Sequence, residues 1–229
     1  MNHAPGLAIL RAASGGTMAL IVFDIDGTLL QTDRVTIAAV CESFAAFGLP
    51  EPDAKAVRAT FGQPVEEYEA WLAAQCPKRA AELVAATNAR ELELIGEAGR
   101  LYPGVRAALE TLRGTGHRLA VFSNGHEAYV REVLEAHALG GFFALVCARG
   151  APYADKSAML ACILERFPER PLIVVGDRED DISSAHAHDG LAIGAAYGFG
   201  QAGELRDANA VARDPSAIPS LVTELTVEP

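Results

Sequence analysis

Ala19-Leu20-Ile21-Val22-Phe23-Asp24-Ile25-Asp26-Gly27-Thr28-Leu29-Leu30 decides how the rest of the chain is read. Residues 19–23 are apolar and stop abruptly at a carboxylate, the pattern of a short, fully buried strand. Strand side chains alternate between faces, so Asp24 and Asp26 set out toward the same side. Gly27 then permits a sharp departure of the backbone. Two acids at the carboxyl end of a buried strand are costly unless a cation or a hydrogen-bond network meets them. An arbitrary Asp-x-Asp reads as a pair of solvated acids; Asp-x-Asp-Gly-Thr directly after such a strand reads as a functional site.

Beyond Leu30 the pattern turns helical. Apolar residues recur at helical spacing over 33–48, with Gly48 as a stop signal, and further helices are predicted over 53–60, 64–75 and 77–97. From Leu101 a β/α alternation takes over. Strands are predicted at 118–122, 142–147, 171–175 and 191–195, and helices at 105–113, 127–137, 156–167, 182–188 and from about Pro215. Alternation of this kind predicts a Rossmann-like parallel sheet with helices on both faces. About 65 residues of all-helical pattern, without a strand, far exceed an ordinary crossover. The expected organisation is therefore an α/β core of residues 18–32 and 99–229 with an inserted all-helical domain at 33–98. Residues 1–17 read as a flexible leader ahead of Met18, too short in apolar core for a signal peptide.

The 229 residues are half hydrophobic and carry a net charge of −11, which argues against a nucleic-acid partner. No apolar run approaches a membrane span. Cys41, Cys76, Cys147 and Cys162 form no CxxC pair and read as small core residues of a reduced, cytoplasmic protein. Monomer and homodimer are both compatible with this composition.

In open parallel sheets ligands bind beyond the carboxyl ends of the strands, and three further polar clusters fall at such ends or at the helix starts that follow. Ser123-Asn124 follows the second strand, where a hydroxyl, an amide and helix N-terminal N–H groups could meet a phosphate, although such a pair is also ordinary cap chemistry. Lys156, one of three lysines, stands at a helix start, against the helix dipole, which suggests acids nearby. Gly176-Asp177-Arg178-Glu179-Asp180-Asp181 closes the fourth strand; Asp181 lies about one helical turn beyond Asp177 and can return to its side, leaving Asp180 as a bystander.

Taken in order, DxDGT, SN, Lys and GDxxxD resemble the motifs of the haloacid dehalogenase superfamily, over residues 19–200. Leu101-Tyr102-Pro103-Gly104-Val105 and Gly190–Gly200 resemble its phosphoglycolate-phosphatase-like branch, whose cap domain occupies the place of the helical insert. The resemblance implies a Mg²⁺-dependent phosphatase acting on a small phosphorylated metabolite. It makes Asp24 the nucleophile and Asp26 the general acid/base, and puts Ser123, Asn124, Lys156, Gly27 and Thr28 around the phosphate. Mg²⁺ would be held by Asp24, Asp177 and the Asp26 carbonyl, with Asp181 behind them. One departure stands out: relatives often carry Asp-Ser where this chain has Gln31-Thr32-Asp33. Dehalogenase chemistry does not use an acid at the Asp26 position. A phosphonatase needs a cap lysine, and Phe61-Gly62-Gln63-Pro64 offers none. A phosphomutase on the same core, or a non-catalytic module that binds phosphorylated ligands, stays open.

Overall fold

The structure is a computed structural model and describes residues 18–201 and 203–227. The leader expected at 1–17 lies outside the described residues. Six strands form one parallel sheet: β1 (Leu20–Phe23), β2 (Arg118–His126), β3 (Leu145–Arg149), β4 (Leu172–Gly176), β5 (Leu191–Ala195) and β6 (Ala210–Ala212), in the order β3-β2-β1-β4-β5-β6. The central strand β1 is buried at every position, as its unbroken apolar run requires. Its residues divide by parity. Ile21 and Phe23 face a core with helices α5 (Val105–Gly114), α6 (Glu127–Ala136) and α9 (Ile218–Thr226). Leu20 and Val22 face one with α7 (Lys156–Arg166) and α8 (Glu179–Ala187).

The chain runs outward from β1 to β3, then crosses back to β4 on the other side of β1. The strand order therefore reverses between β1 and β4, where open sheets of this type leave a crevice at their carboxyl ends. Asp24 follows β1 and Asp177 follows β4, one on each side of that crevice.

Helices α1 (Asp33–Ala46), α2 (Ala54–Arg58), α3 (Val65–Gln75) and α4 (Ala80–Glu97) make up the insert. It leaves and returns at adjacent points: Gln31 N donates to the Arg100 carbonyl at 2.8 Å and Tyr102 N to that of Leu29 at 2.9 Å. The insert has an apolar cluster of its own, with Val40, Phe44, Val57, Phe61, Tyr68, Leu72 and Leu83 buried. Val35 and Ala39 of α1 and Leu94 and Ile95 of α4 belong instead to the cluster under the sheet. These two helices anchor the insert.

Four sequence expectations shift. The third strand spans 145–149, not 142–147, because Gly140–Phe142 is a 3₁₀ turn that tucks Phe142 and Phe143 against the core. The second strand runs on through Ser123 and Asn124 to His126. Helix α8 begins at Glu179 instead of 182, with three acids in its first turn where the dipole favours them. β6 is an unexpected sixth strand. Among the described residues no helix is long and apolar enough to cross a membrane.

Candidate active site

The crevice gathers four carboxylates and one ammonium. Asp155 caps α7 by accepting from Ala158 N at 2.8 Å, which leaves Lys156 as the first helical residue, aimed inward. Its Nζ lies 2.6 Å from Asp181 Oδ1, 3.1 Å from Asp24 Oδ1 and 3.3 Å from Asp180 Oδ1. Lys156 is 2% exposed. Burial alone would lower its pKa; Asp181, Asp24 and Asp180 outweigh that and hold it well above the usual lysine range.

The acids carry the opposite consequence. Asp24, Asp177 and Asp181 offer oxygens within 4.8 Å of one another. Burial pushes Asp24 up to about 8, with Lys156 opposing and Asp177 adding to it. Burial, then Asp181, pushes Asp177 up to about 7. One ammonium cannot balance three buried acids, so the cluster calls for more positive charge.

The hydrogen bonds show where such a charge fits. Both oxygens of Asp181 have partners, Oδ2 accepting from Arg178 N at 3.0 Å and Oδ1 meeting Lys156. Asp177 Oδ2 accepts from Phe199 N at 2.6 Å and Gly200 N at 3.1 Å. Two buried oxygens, Asp24 Oδ2 and Asp177 Oδ1, have no partner among the described residues. A pair of orphaned carboxylate oxygens beside an excess of negative charge suits a hard, oxygen-seeking dication. Asp26 gives no side-chain oxygen to this group. The approach of the first loop to Asp177 depends on Gly27: its φ is +82°, and a Cβ there would collide with the Asp177 carboxylate.

Asp26 is held differently. Its Oδ1 accepts from Thr32 Oγ1 and from Tyr129 OH, both at 2.6 Å. Burial raises its pKa, and these two hydrogen bonds oppose the rise. Thr32 belongs to the Gln31-Thr32-Asp33 loop, which thereby fixes the position of the Asp26 carboxyl. Ser123 is fully buried and its Oγ accepts from Gly125 N at 3.0 Å. Thr28 Oγ1 is buried with no partner among the described residues. Asn124 donates through Nδ2 to Asp180 Oδ2 and to the Gly62 carbonyl, each at 2.9 Å. Asp180 is accordingly no bystander: it joins Asn124 to Lys156.

The same contacts draw the insert onto the sheet edge. Arg178 Nη1 donates to the Phe61 carbonyl at 2.5 Å, Phe61 and Phe199 rings meet edge-on at 4.8 Å, and Arg149 pairs with Glu66 at 2.6 Å.

A family model described as haloacid dehalogenase-like hydrolase matches residues 21–193. The chain belongs to this family. The haloacid dehalogenase-like chain is 30% identical over 199 residues to the probable phosphatase IndB of Dickeya dadantii (strain 3937), covering 82% of this chain and 86% of that protein. It is 28% identical over 193 residues to the phosphoglycolate phosphatase of Haemophilus influenzae (strain 86-028NP), covering 79% and 86%. Among solved structures it shares its fold with a predicted phosphoglycolate phosphatase from Haemophilus somnus 129pt, at a TM-score of 0.80 and 22% identity over 90% of this chain and 98% of that one. The similarity is thus to the phosphoglycolate-phosphatase-like branch of the haloacid dehalogenase-like hydrolases, and the protein is an enzyme of that hydrolase class.

Within this haloacid dehalogenase-like site, sequence reasoning missed Thr32, Tyr129 and Asp180 as partners of the central residues. Tyr129 reaches Asp26 across 103 positions, and no local spacing announces it.

Proposed function

We propose that the enzyme hydrolyses a small phosphate monoester through an aspartyl-phosphate on Asp24. The observation that carries this reading is the different treatment of two neighbouring acids. Asp24 meets Lys156 through Oδ1 and keeps Oδ2 without a partner among the described residues. Asp26 is fixed through one oxygen by two hydroxyls, Thr32 and Tyr129. The first arrangement suits a nucleophile and the second an oriented proton carrier.

In this reading an Asp24 oxygen attacks phosphorus in line and the bond to the ester oxygen breaks. Asp26, protonated, gives its proton to that departing alkoxide. Asp26, now ionised, takes a proton from water as the water oxygen attacks the acyl phosphate, which releases inorganic phosphate and restores Asp24. Lys156 and the Ser123 hydroxyl offset charge on the phosphoryl oxygens, along with N–H groups of the loop after β1. Asp24 and Asp177, with the Asp26 carbonyl, would hold Mg²⁺, which supplies positive charge against the acids and the phosphoryl oxygens; Asp181 serves by fixing Lys156. Residues 33–98 act as the cap, closing over the crevice and limiting water.

Turnover of p-nitrophenyl phosphate tests the reading. Activity is expected with Mg²⁺, to vanish in EDTA and to return on adding Mg²⁺ back. Ca²⁺ should inhibit, because it tolerates looser and higher coordination. Undiminished turnover in EDTA would refute the proposed metal site, and no turnover under any condition would refute the phosphatase.

A further inference from the structure

A cavity of about 130 Å³ opens between the insert and the sheet edge, with Asp26 at its floor. It is comparable to an engineered cavity of about 150 Å³ that holds benzene, so a group of about six non-hydrogen atoms fits. Its position beside Asp26 is where, on the phosphatase reading above, the departing alcohol receives its proton. The chemistry of its walls therefore selects the alcohol.

The insert side of the cavity carries Thr36, Tyr68, Asn88 and Glu91. Glu91 is 6% exposed and forms no ion pair among the described residues. The Tyr68 hydroxyl, on the same wall, is buried with no hydrogen-bond partner among the described residues. Burial pushes Glu91 up to about 7; the nearby Thr36 and Tyr68 hydroxyls oppose the rise and Asp26 adds to it. No lysine or arginine lines the cavity. His126 does, but its Nε2 lies 2.8 Å from Glu69 Oε1. Arg149 and Arg178 line a separate opening and are already bound, to Glu66 at 2.6 Å and to Glu204 at 2.8 Å.

We propose that Glu91 makes this a pocket for a small, non-acidic alcohol that offers a hydroxyl or ammonium hydrogen to its carboxyl, and that it rejects leaving groups bearing a carboxylate. A hydroxyl or ammonium adds a donor to Glu91 beyond the neighbouring Thr36 and Tyr68 hydroxyls, and a hydroxyl can also pair with those two groups. A carboxylate would be buried beside Glu91 and Asp26 with no counter-ion, an arrangement that desolvation opposes throughout and that like-charge repulsion opposes whenever either acid is ionised. Glycolate, the alcohol portion of phosphoglycolate, carries such a carboxylate. Substrate choice here therefore differs from that named for the Haemophilus influenzae relative.

The test compares kcat/KM for glycerol phosphate, ethanolamine phosphate and phosphoglycolate, in wild type and in Glu91→Gln. Acetyl phosphate, small and readily cleaved, carries no charged carboxylate until its bond to phosphorus has broken, so its turnover reports the chemistry independently of this choice. We expect glycerol phosphate or ethanolamine phosphate to exceed phosphoglycolate by about tenfold or more in wild type, and Glu91→Gln to narrow that gap about tenfold. Which of the two leads tells hydroxyl from ammonium. Phosphoglycolate turned over as well as or better than both, or a gap unchanged by Glu91→Gln, would overturn the proposal while acetyl phosphate turnover left the phosphatase standing. Absence of acetyl phosphate turnover in wild type would overturn the phosphatase and the proposal together. The wild-type ranking decides the matter even if the variant does not fold.

Discussion

Asp24→Asn is expected to give a folded protein that has lost at least about 10⁴-fold in kcat. The amide has nearly the shape of the carboxylate, so the contact to Lys156 at 3.1 Å can be kept through the amide oxygen. What goes is the proposed nucleophile: Asp26 is turned to Thr32 and Tyr129, both oxygens of Asp181 already have partners, and Asp177, across the crevice, is held through Oδ2 by Phe199 N and Gly200 N. Stability should not fall with activity. Burial raises the Asp24 pKa to about 8, so its ionisation opposes folding at pH values above the ordinary carboxylate range. That penalty grows as pH rises toward 8 and then levels off. A neutral amide removes it, and the metal-free variant at pH 7 should melt at the wild-type temperature or above. Circular dichroism and a melting curve, set beside the kcat, check both halves. A variant that loses activity only because it unfolds would not support the assignment.

Lys156→Met should lose both fold stability and activity. The side chain is buried against Phe122, whose ring centroid lies 5.3 Å from Nζ, so methionine fills the space without a cavity. The charge is another matter. Its removal leaves Asp24, Asp180 and Asp181 facing one another without a cation, and breaking a buried ionic cluster from one side costs about 3–5 kcal/mol. A fall of that size should appear in the urea midpoint with the slope unchanged. Activity should drop by about 10³-fold, because the phosphoryl oxygens lose their fixed cation. The double variant Lys156→Met/Asp181→Asn separates the two effects. It removes the acid in closest contact with Lys156, at 2.6 Å, and should recover much of the stability but none of the activity. Equal urea midpoints for wild type and Lys156→Met would contradict the ionic account of this cluster.

How much of this was readable beforehand follows from where each residue sits. Asp24, Asp26, Lys156, Asp177 and Asp181 stand at strand ends or helix starts, where apolar pattern breaks sharply, and the alternation of strands and helices brings those ends to one edge of the sheet. Local pattern and topology suffice for them. Thr32, Tyr129 and Glu91 are ordinary residues within or beside helices, and their importance comes only from docking. Thr32 lies six positions beyond Asp26 in the loop entering α1, and Tyr129 lies in the first turn of α6. Glu91 lies on the buried side of α4. Such contacts depend on helix rotation and insert placement, which periodicity does not specify. The role of Asp180 is hidden from the sequence for a related reason. One turn of α8 presents Asp180 and Asp181 to Lys156 from slightly different directions, and both reach it. β6 was missed because three residues, Ala210 to Ala212, are too short to show alternation. The third strand was set too early because Phe142 and Phe143 extend the apolar run without pairing.

The central claim, that phosphate passes through Asp24, is tested most directly by trapping it in Asp26→Asn. Without a proton carrier the variant should still accept phosphate from a substrate with a good leaving group, such as p-nitrophenyl phosphate, but release it slowly, because no base activates the water. Rapid acid quench followed by peptide mass spectrometry is expected to find one phosphate on the peptide containing Asp24, persisting in Asp26→Asn and absent in Asp24→Asn. Phosphate on any other residue, or steady turnover with no phosphorylated peptide at any quench time, would contradict it.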